Sequence, residues 1–263
     1  MCPEPRRRRF RGLSLLIALG AAAALPARAQ DTAATHGMGH GMGHGMEEMT
    51  WQPTLFVLFD QLEYAPAARG EPFNVDMRAW YGGARQRLWV LAESEFASRV
   101  EQGEAEVQVA YGRLVDPFWD ATIGLRIDPH WGDAHPGRTQ VAVGLRGLAP
   151  YRVEFEPTLF VSPRGEFSGR LEGSFQLQFT QRLIAEPEFE VNAALQAAPR
   201  FGVRRGLNDF EYGVRMRYEL RREFAPYVGW SRSRRIAGST NIGRPSGDPL
   251  AESRLVLGLR VWR

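Results

Sequence analysis

The sequence predicts an all-β protein: an antiparallel outer-membrane β-barrel of about twelve strands, preceded by a disordered N-terminal His/Met-rich tail. Apolar and polar residues alternate with a period of two through most of residues 53–263, as in strands with two unlike faces. Short connections alternate with longer ones between these runs. Bacterial outer-membrane barrels show this asymmetry, because their turns and loops lie at opposite ends of the barrel.

The predicted strands follow one another at regular intervals along the chain. The clearest run is residues 210–220, where the apolar residues from Phe210 to Leu220 alternate with charged residues and Gly213. An amphipathic helix could not place these two sets on opposite faces. The strands are expected to begin near Thr54, Phe73, Arg87, Glu104, Phe118, Arg138, Tyr151, Glu166, Arg182, Leu207, Phe224 and Ala251.

The connections support the same architecture. Tight connections such as Gly82-Gly83 follow the even-numbered strands, whereas most odd-numbered strands precede longer loops such as residues 236–249. Pro157 and Pro187 fall inside two of the runs. Because proline removes a donor from the hydrogen-bond ladder, these two residues favour a later start for their strands.

The alternation also assigns a polar face to the barrel interior. Charged residues on this face could fill the lumen as a salt-bridged network or line a narrow polar path. Aromatic residues near the strand ends could lie at the membrane interfaces or take part in ordinary packing. The inward charged set is Glu154, Glu156, Arg170, Glu172, Glu186, Glu188, Glu190, Arg215, Arg217 and Glu219; the aromatic set is Trp80, Tyr81, Trp119, Tyr151, Tyr227, Trp230 and Trp262.

Residues 1–29 have the layout of a secretory signal peptide, with a basic start, an apolar run and a small-x-small cleavage site. A retained anchor is the alternative, and the export route stays open between general secretory and twin-arginine. This leader holds Cys2, six of the 33 arginines and one of the 30 acidic residues. The remainder therefore carries 27 basic and 29 acidic groups, about −2 in net charge. The basic balance belongs to the leader and does not indicate nucleic-acid binding.

Residues 30–52 are predicted to form a flexible tail in which histidine, methionine and glycine are interleaved. Imidazole suits copper, and thioether sulfur selects the soft cuprous ion over zinc, calcium or magnesium. The glycines allow ligands two residues apart to converge. A low-complexity linker or a purification tag is the alternative. The predicted copper ligands are His36, Met38, His40, Met42, His44, Met46 and Met49.

A second candidate metal site is the loop of residues 128–135, which contains two aspartates together with His130 and His135. The alternative interpretation of this loop is a polar surface turn that binds no metal. The sequence does not predict an enzyme, because these are the only histidines of residues 53–263 and that segment has no cysteine. It also has no phosphate-binding glycine motif.

Several motifs, in order along residues 53–263, resemble the copper resistance protein B family of bacterial outer-membrane proteins. The chain carries a His/Met tail before the barrel, as that family does. The motifs lie at residues 58–64 (LFDQLEY), 79–83 (AWYGG), 116–120 (DPFWD), 147–151 (GLAPY), 180–183 (TQRL) and 218–227 (YELRREFAPY).

The resemblance implies an outer-membrane protein that binds copper ions and contributes to copper resistance and homeostasis. It implies that the Met and His side chains of a periplasmic tail capture the copper, alongside other periplasmic copper-handling proteins, while the barrel contacts outer-membrane lipid. The tail is shorter than is usual in the family, which argues against high-capacity storage. The alternative function is a general outer-membrane diffusion channel whose tail is incidental.

Overall fold

A computed structural model describes residues 53–66, 68, 72–97, 103–131, 137–236 and 251–263. The predicted signal peptide and His/Met tail lie outside these residues. The twelve long strands of the described part are β1 Thr54–Tyr64, β2 Pro72–Gly82, β3 Gln86–Ala97, β4 Gly103–Asp116, β5 Trp119–Asp128, β6 Arg138–Ala149, β7 Val153–Val161, β8 Phe167–Phe175, β9 Leu183–Ala194, β10 Gly206–Tyr218, β11 Phe224–Arg235 and β12 Ala251–Trp262.

The strands form one closed antiparallel barrel. Each strand pairs with the strands before and after it in the sequence, and β12 pairs with β1 through partners such as Leu257 and Tyr64. Closure leaves all twelve strands paired on both sides, so their backbone groups are satisfied within the sheet. The predicted fold class is confirmed, and each predicted strand start lies within two residues of the observed one.

The two prolines lie inside β7 and β9, which begin two residues and one residue later than the predicted starts at Tyr151 and Arg182, so the expected later start is confirmed. Pro187 stays in the ladder between β9 and β10. On the other side, the pairing of β9 with β8 stops at Glu188 and resumes in the two-residue strand Leu177–Gln178. A proline offers no N–H to the ladder, and here the sheet tolerates a local gap in pairing instead of ending a strand.

The connections define two ends of the barrel. The turn end carries residues 83–85, 117–118, 150–152, 176–182 and 219–223, together with Pro53 and Arg263. The loop end carries the connections after the odd-numbered strands, which include residues 195–205 between β9 and β10. The sequence-predicted alternation of short and long connections is therefore confirmed. No helix in the described part of the chain is long and apolar enough to cross a membrane.

The outer face of the barrel is apolar. Val228, Leu257 and Ile123, on three different strands, are 57%, 53% and 55% exposed. Side chains at alternating positions point to the same face of a strand, so each exposed apolar residue belongs to an outward row. In transmembrane barrels such rows form the band that contacts lipid. The larger outward residues include Leu55, Leu88, Val109, Tyr111, Leu125, Val141, Val143, Leu145, Leu159, Val214, Leu255 and Leu259.

The aromatic residues predicted for the membrane interfaces divide between the two faces. Tyr81 and Tyr151 are 53% and 96% exposed on the outside. Trp119 and Trp230 occupy outward positions of their strands and contact the rings of Phe155 and Tyr212. Three others lie inside the barrel, so the packing alternative holds for them. These inward residues are Trp80, Tyr227 and Trp262, which share the lumenal face with the charged residues beside them in the strands.

Candidate functional site

The candidate site is the lumen, where the inward side chains of all the strands meet. It contains a cavity of about 400 Å³ that is lined by fifteen carboxylic acid side chains and ten arginines. Nine of the ten predicted inward charged residues line this cavity, and Glu219 lines a second one at the turn end. The predicted polar face is therefore confirmed. Its carboxyl groups outnumber its guanidinium groups by five, so the lumen is negative when the carboxyls are ionised.

Toward the loop end, Arg170 on β8 is surrounded by carboxylates from β3, β4, β8 and β9. Its guanidinium forms a bidentate pair with Glu106 on β4, at 3.2 and 2.7 Å. Glu190, Glu172 and Glu93 lie 3.3, 3.5 and 3.6 Å from the same group. Glu106 is also paired with Arg126 at 2.8 Å, so four carboxylates share two guanidinium groups and this part of the lumen holds excess negative charge.

Toward the turn end, arginines from several strands converge on fewer carboxylates. Arg78 and Arg146 lie 3.1 and 2.6 Å from the two carboxylate oxygens of Glu156. Arg260 lies 3.0 Å from Asp60. The pair between Arg78 of β2 and Glu156 of β7 crosses the interior, whereas the other two pairs join neighbouring strands.

A third group joins β1, β9, β10 and β11. Glu63 is 2% exposed and forms ion pairs or hydrogen bonds with two inward groups. Arg215 donates to its carboxylate, and the hydroxyl of Tyr227 donates to it at 3.0 Å. Arg215 also pairs with Glu188 of β9. A buried carboxylate with two donors is far less costly than an unpaired one, which explains how Glu63 is accommodated in the wall.

Aromatic rings narrow the lumen at the turn end. Phe56 stacks on Trp80 with a centroid distance of 5.9 Å and lies 6.1 Å from Trp262. Trp80 in turn lies 6.4 Å from Trp89. The guanidinium of Arg146 lies 4.8 Å above the ring of Trp89, a favourable cation–π arrangement.

The seven predicted copper ligands, from His36 to Met49, lie outside the described residues. For the second candidate site, the backbone of His130 pairs with Glu104 at the loop end, and His135 lies outside the described residues. The described residues that line the two cavities include no histidine, methionine or cysteine. Met77 and Met216 occupy positions between inward charged residues and face outward. In the described part, no group of three or more His, Cys, Asp or Glu side chains is arranged to hold a metal ion.

Several lumenal residues were absent from the sequence-predicted set. They share the period-two pattern with their neighbours, and on β2, β3 and β5 that pattern could have identified them. Asp60 continues the inward alternation of Phe56 and Leu58, and the register shift between Phe59 and Gln61 then brings Glu63 to the same inner face. The missed charged residues that line the main cavity are Asp60, Asp76, Arg78, Glu93, Glu95, Glu104, Glu106, Arg126, Asp128, Arg138, Arg146, Asp209, Glu211, Arg235, Arg254 and Arg260.

Known proteins resemble this chain in sequence and in fold. The family model described as copper resistance protein B precursor (CopB) matches residues 54–263. Copper resistance protein B of Escherichia coli is 39% identical over 206 residues, which cover 78% of this chain and 68% of that protein. The copper resistance protein B homolog of Pseudomonas syringae pv. tomato is 35% identical over 209 residues, 79% of this chain and 69% of the homolog.

Among solved structures, the NanC porin is similar with a TM-score of 0.49 and 13% identity, over 79% of this chain and 99% of that chain. The KdgM porin has a TM-score of 0.46 and 12% identity, over 78% of this chain and 98% of that chain. The sequence matches are much the stronger, and the family match begins at Thr54, where the barrel begins.

Proposed function

The chain belongs to the copper resistance protein B family, and from this premise we propose that it is a non-enzymatic outer-membrane protein that captures copper. The main support is the distribution of soft ligands. The interleaved His and Met residues all precede Thr54, whereas the described lumen offers carboxylates and guanidinium groups. Thioether and imidazole groups suit copper, while carboxylates suit magnesium, calcium and manganese. Copper capture is therefore assigned to His36, Met38, His40, Met42, His44, Met46 and Met49.

The outer-membrane location rests on the two faces of the barrel. Water would solvate the outer rows of leucine, valine and isoleucine poorly, and such extensive apolar surface marks a contact with lipid or another apolar partner. Closure of the sheet satisfies the backbone groups that a bilayer could not. The apolar outer rows and the closed sheet together favour a barrel whose outer face contacts outer-membrane lipid.

The periplasmic location of the tail is inferred from the direction of the strands. β1 begins at the turn end, and Met49 precedes Thr54 by five residues. In bacterial outer-membrane barrels the short turns face the periplasm. The proposed role is therefore to bind copper on the periplasmic side, alongside periplasmic copper-handling proteins, and so contribute to copper resistance and homeostasis.

A general diffusion channel with an incidental tail is the second candidate, and the polar cavity favours it. Ion pairs across the lumen argue against a wide pore. Arg254 of β12, for example, lies 3.2 Å from Glu95 of β3. A general channel would conduct small solutes equally well with or without residues 36–49.

Copper tolerance of cells tests the proposal. A copper-sensitive bacterial strain that lacks a homologous protein would produce either the full chain or a variant with the four tail methionines changed to Leu and the three tail histidines changed to Asn. A matched variant, Glu47→Gln with Glu48→Gln, alters the same segment and leaves those ligands in place. The full chain and the matched variant are expected to restore tolerance. Equal tolerance from the ligand variant, at equal amounts of folded barrel in the membrane, would contradict the proposal.

A further inference from the structure

Two cavities lie one behind the other in the lumen. The main cavity extends toward the loop end, where Asp128 and Asn208 line it. The second, of about 300 Å³, lies at the turn end, where Phe56 and Trp262 line it. In the described part of the chain, Arg217 and Arg260 are the only residues that line both cavities. The partition between the main lumen and the turn-end mouth therefore includes two guanidinium groups.

One carboxylate holds both arginines in this partition. Glu186 of β9 pairs with Arg217 of β10 and, at 3.0 Å, with Arg260 of β12. Arg260 also lies 3.0 Å from Asp60 of β1. The side chains of Arg217 and Glu186 are only 6% and 12% exposed, so the pair is largely shielded from bulk water. Ion pairs shielded in this way are screened weakly by salt, which favours a persistent partition.

The lining charges differ along the lumen. The main cavity has five more carboxyl groups than guanidinium groups. The turn-end cavity adds only Glu219 and Arg222, so the excess positive charge of its lining is that of Arg217 and Arg260. Acidic linings attract cations, and basic groups at a narrow point repel them. A cation is therefore favoured in the main cavity and meets its barrier at Arg217 and Arg260.

We propose that the lumen is a pathway for small inorganic cations, closed near the turn end by a gate of Arg217, Glu186 and Arg260. The proposal rests on the outer-membrane location in the proposed function, but it does not require the tail to bind copper. The gate opens when the two guanidinium groups leave the partition. A cation that binds the carboxylates of Glu186 and Asp60 would compete directly with the two arginines.

Conductance of the purified full chain in planar lipid bilayers tests the gate. In a KCl gradient, the unaltered protein is expected to show a small conductance and a reversal potential that reports preference for K⁺ over Cl⁻. Changing both Arg217→Gln and Arg260→Gln removes the positive barrier and should raise the unit conductance by about threefold or more, with the K⁺ preference kept. Glu186→Gln keeps both arginines but removes their shared anchor, and it should raise the conductance by a smaller factor.

Arg200→Gln is the matched control. Arg200 lies at the loop end, 3.7 Å from Glu166, and it lines neither cavity. This variant should conduct like the unaltered protein. Heat-modifiable migration on a gel checks that every variant is folded. A preference for Cl⁻, or an unchanged conductance in both the double variant and folded Glu186→Gln, would overturn the proposal. Deletion of residues 36–49 should leave the conductance unchanged, so a failure of copper capture is distinguishable from a failure of the gate.

Discussion

Nη1 of Arg78 on β2 lies 3.1 Å from a carboxylate oxygen of Glu156 on β7, five strands further around the barrel. Arg146, on the strand next to β7, lies 2.6 Å from the other oxygen of the same carboxylate. The closed wall thus gains contacts that cross its interior. Removing one partner of such a contact leaves a buried charge without its counter-charge, which destabilises the folded barrel. The lumenal charges therefore affect folding as well as the electrostatics of the cavity.

Glu156→Gln is expected to destabilise the barrel substantially. The change leaves Arg78 and Arg146 facing each other with no carboxylate between them, and losing one partner of a buried pair costs about 3 kcal/mol. Glu93→Gln is the matched control, because the Glu93 side chain is 59% exposed and its ion pair with Arg170 is long, at 3.6 Å. Its cost should stay below about 1 kcal/mol. Urea titration in lipid vesicles measures both values, and equal losses would contradict the bracing role of Glu156.

Leu257→Arg tests the lipid-facing surface. Leu257 is 53% exposed on β12, between partners in β1 and β11. An arginine at such a position near the bilayer midplane costs about 2–4 kcal/mol. The control is Leu220→Arg in the turn of residues 219–223, also more than half exposed, where the cost should be about 0–1 kcal/mol. Unfolding free energies in vesicles compare the two. No difference between them would mean that Leu257 does not face lipid.

Tyr227→Phe should cost about 1 kcal/mol, because it removes one of the two donors to the buried carboxylate of Glu63. Tyr212→Phe provides the comparison, since Tyr212 is 39% exposed on the outer face. That variant should leave the unfolding free energy almost unchanged. A loss for Tyr212→Phe as large as that for Tyr227→Phe would show that the hydroxyl of Tyr227 contributes nothing specific.

The oxidation states of copper should separate the two kinds of tail ligand. Changing Met38, Met42, Met46 and Met49 to Leu removes the thioethers and should weaken Cu(I) binding much more than Cu(II) binding. Changing His36, His40 and His44 to Asn should show the stronger effect on Cu(II). Competition with chelators specific for each oxidation state measures both affinities. Identical losses in the two variants would contradict this division of ligands.

The sequence was sufficient to predict the barrel, because the period-two pattern extends over whole strands and survives small errors in their ends. Pro187 does not end its strand, since the sheet accommodates the missing donor by a gap on one side only. The aromatic residues were ambiguous for another reason. Tryptophan suits both a membrane interface and a packed interior, so the sequence left both places open for Trp80 and Trp262, which lie inside the barrel.

The lumenal contacts could not be predicted in the same way. Glu63 and Arg215 are 152 residues apart in the sequence, and their pairing depends on the closure and the stagger of the barrel. Glu63 is out of phase with the inward residues Phe56 and Leu58, and it faces the lumen because of the register shift in β1. In the tail, the candidate copper ligands are identified from the chemistry of the His and Met side chains alone, with no structural information. Their role in copper binding stays a prediction.

The most direct test of copper capture is a titration of the folded, detergent-solubilised protein with Cu(I) and Cu(II). The full chain is compared with a variant that lacks residues 36–49, and the Glu47→Gln, Glu48→Gln variant serves as control. If the tail captures copper, tight sites disappear with residues 36–49 while the barrel stays folded, and the control binds like the full chain. Unchanged tight binding in the shortened protein would contradict the account and direct attention to His130 and His135. Absence of binding in every form would favour the diffusion channel.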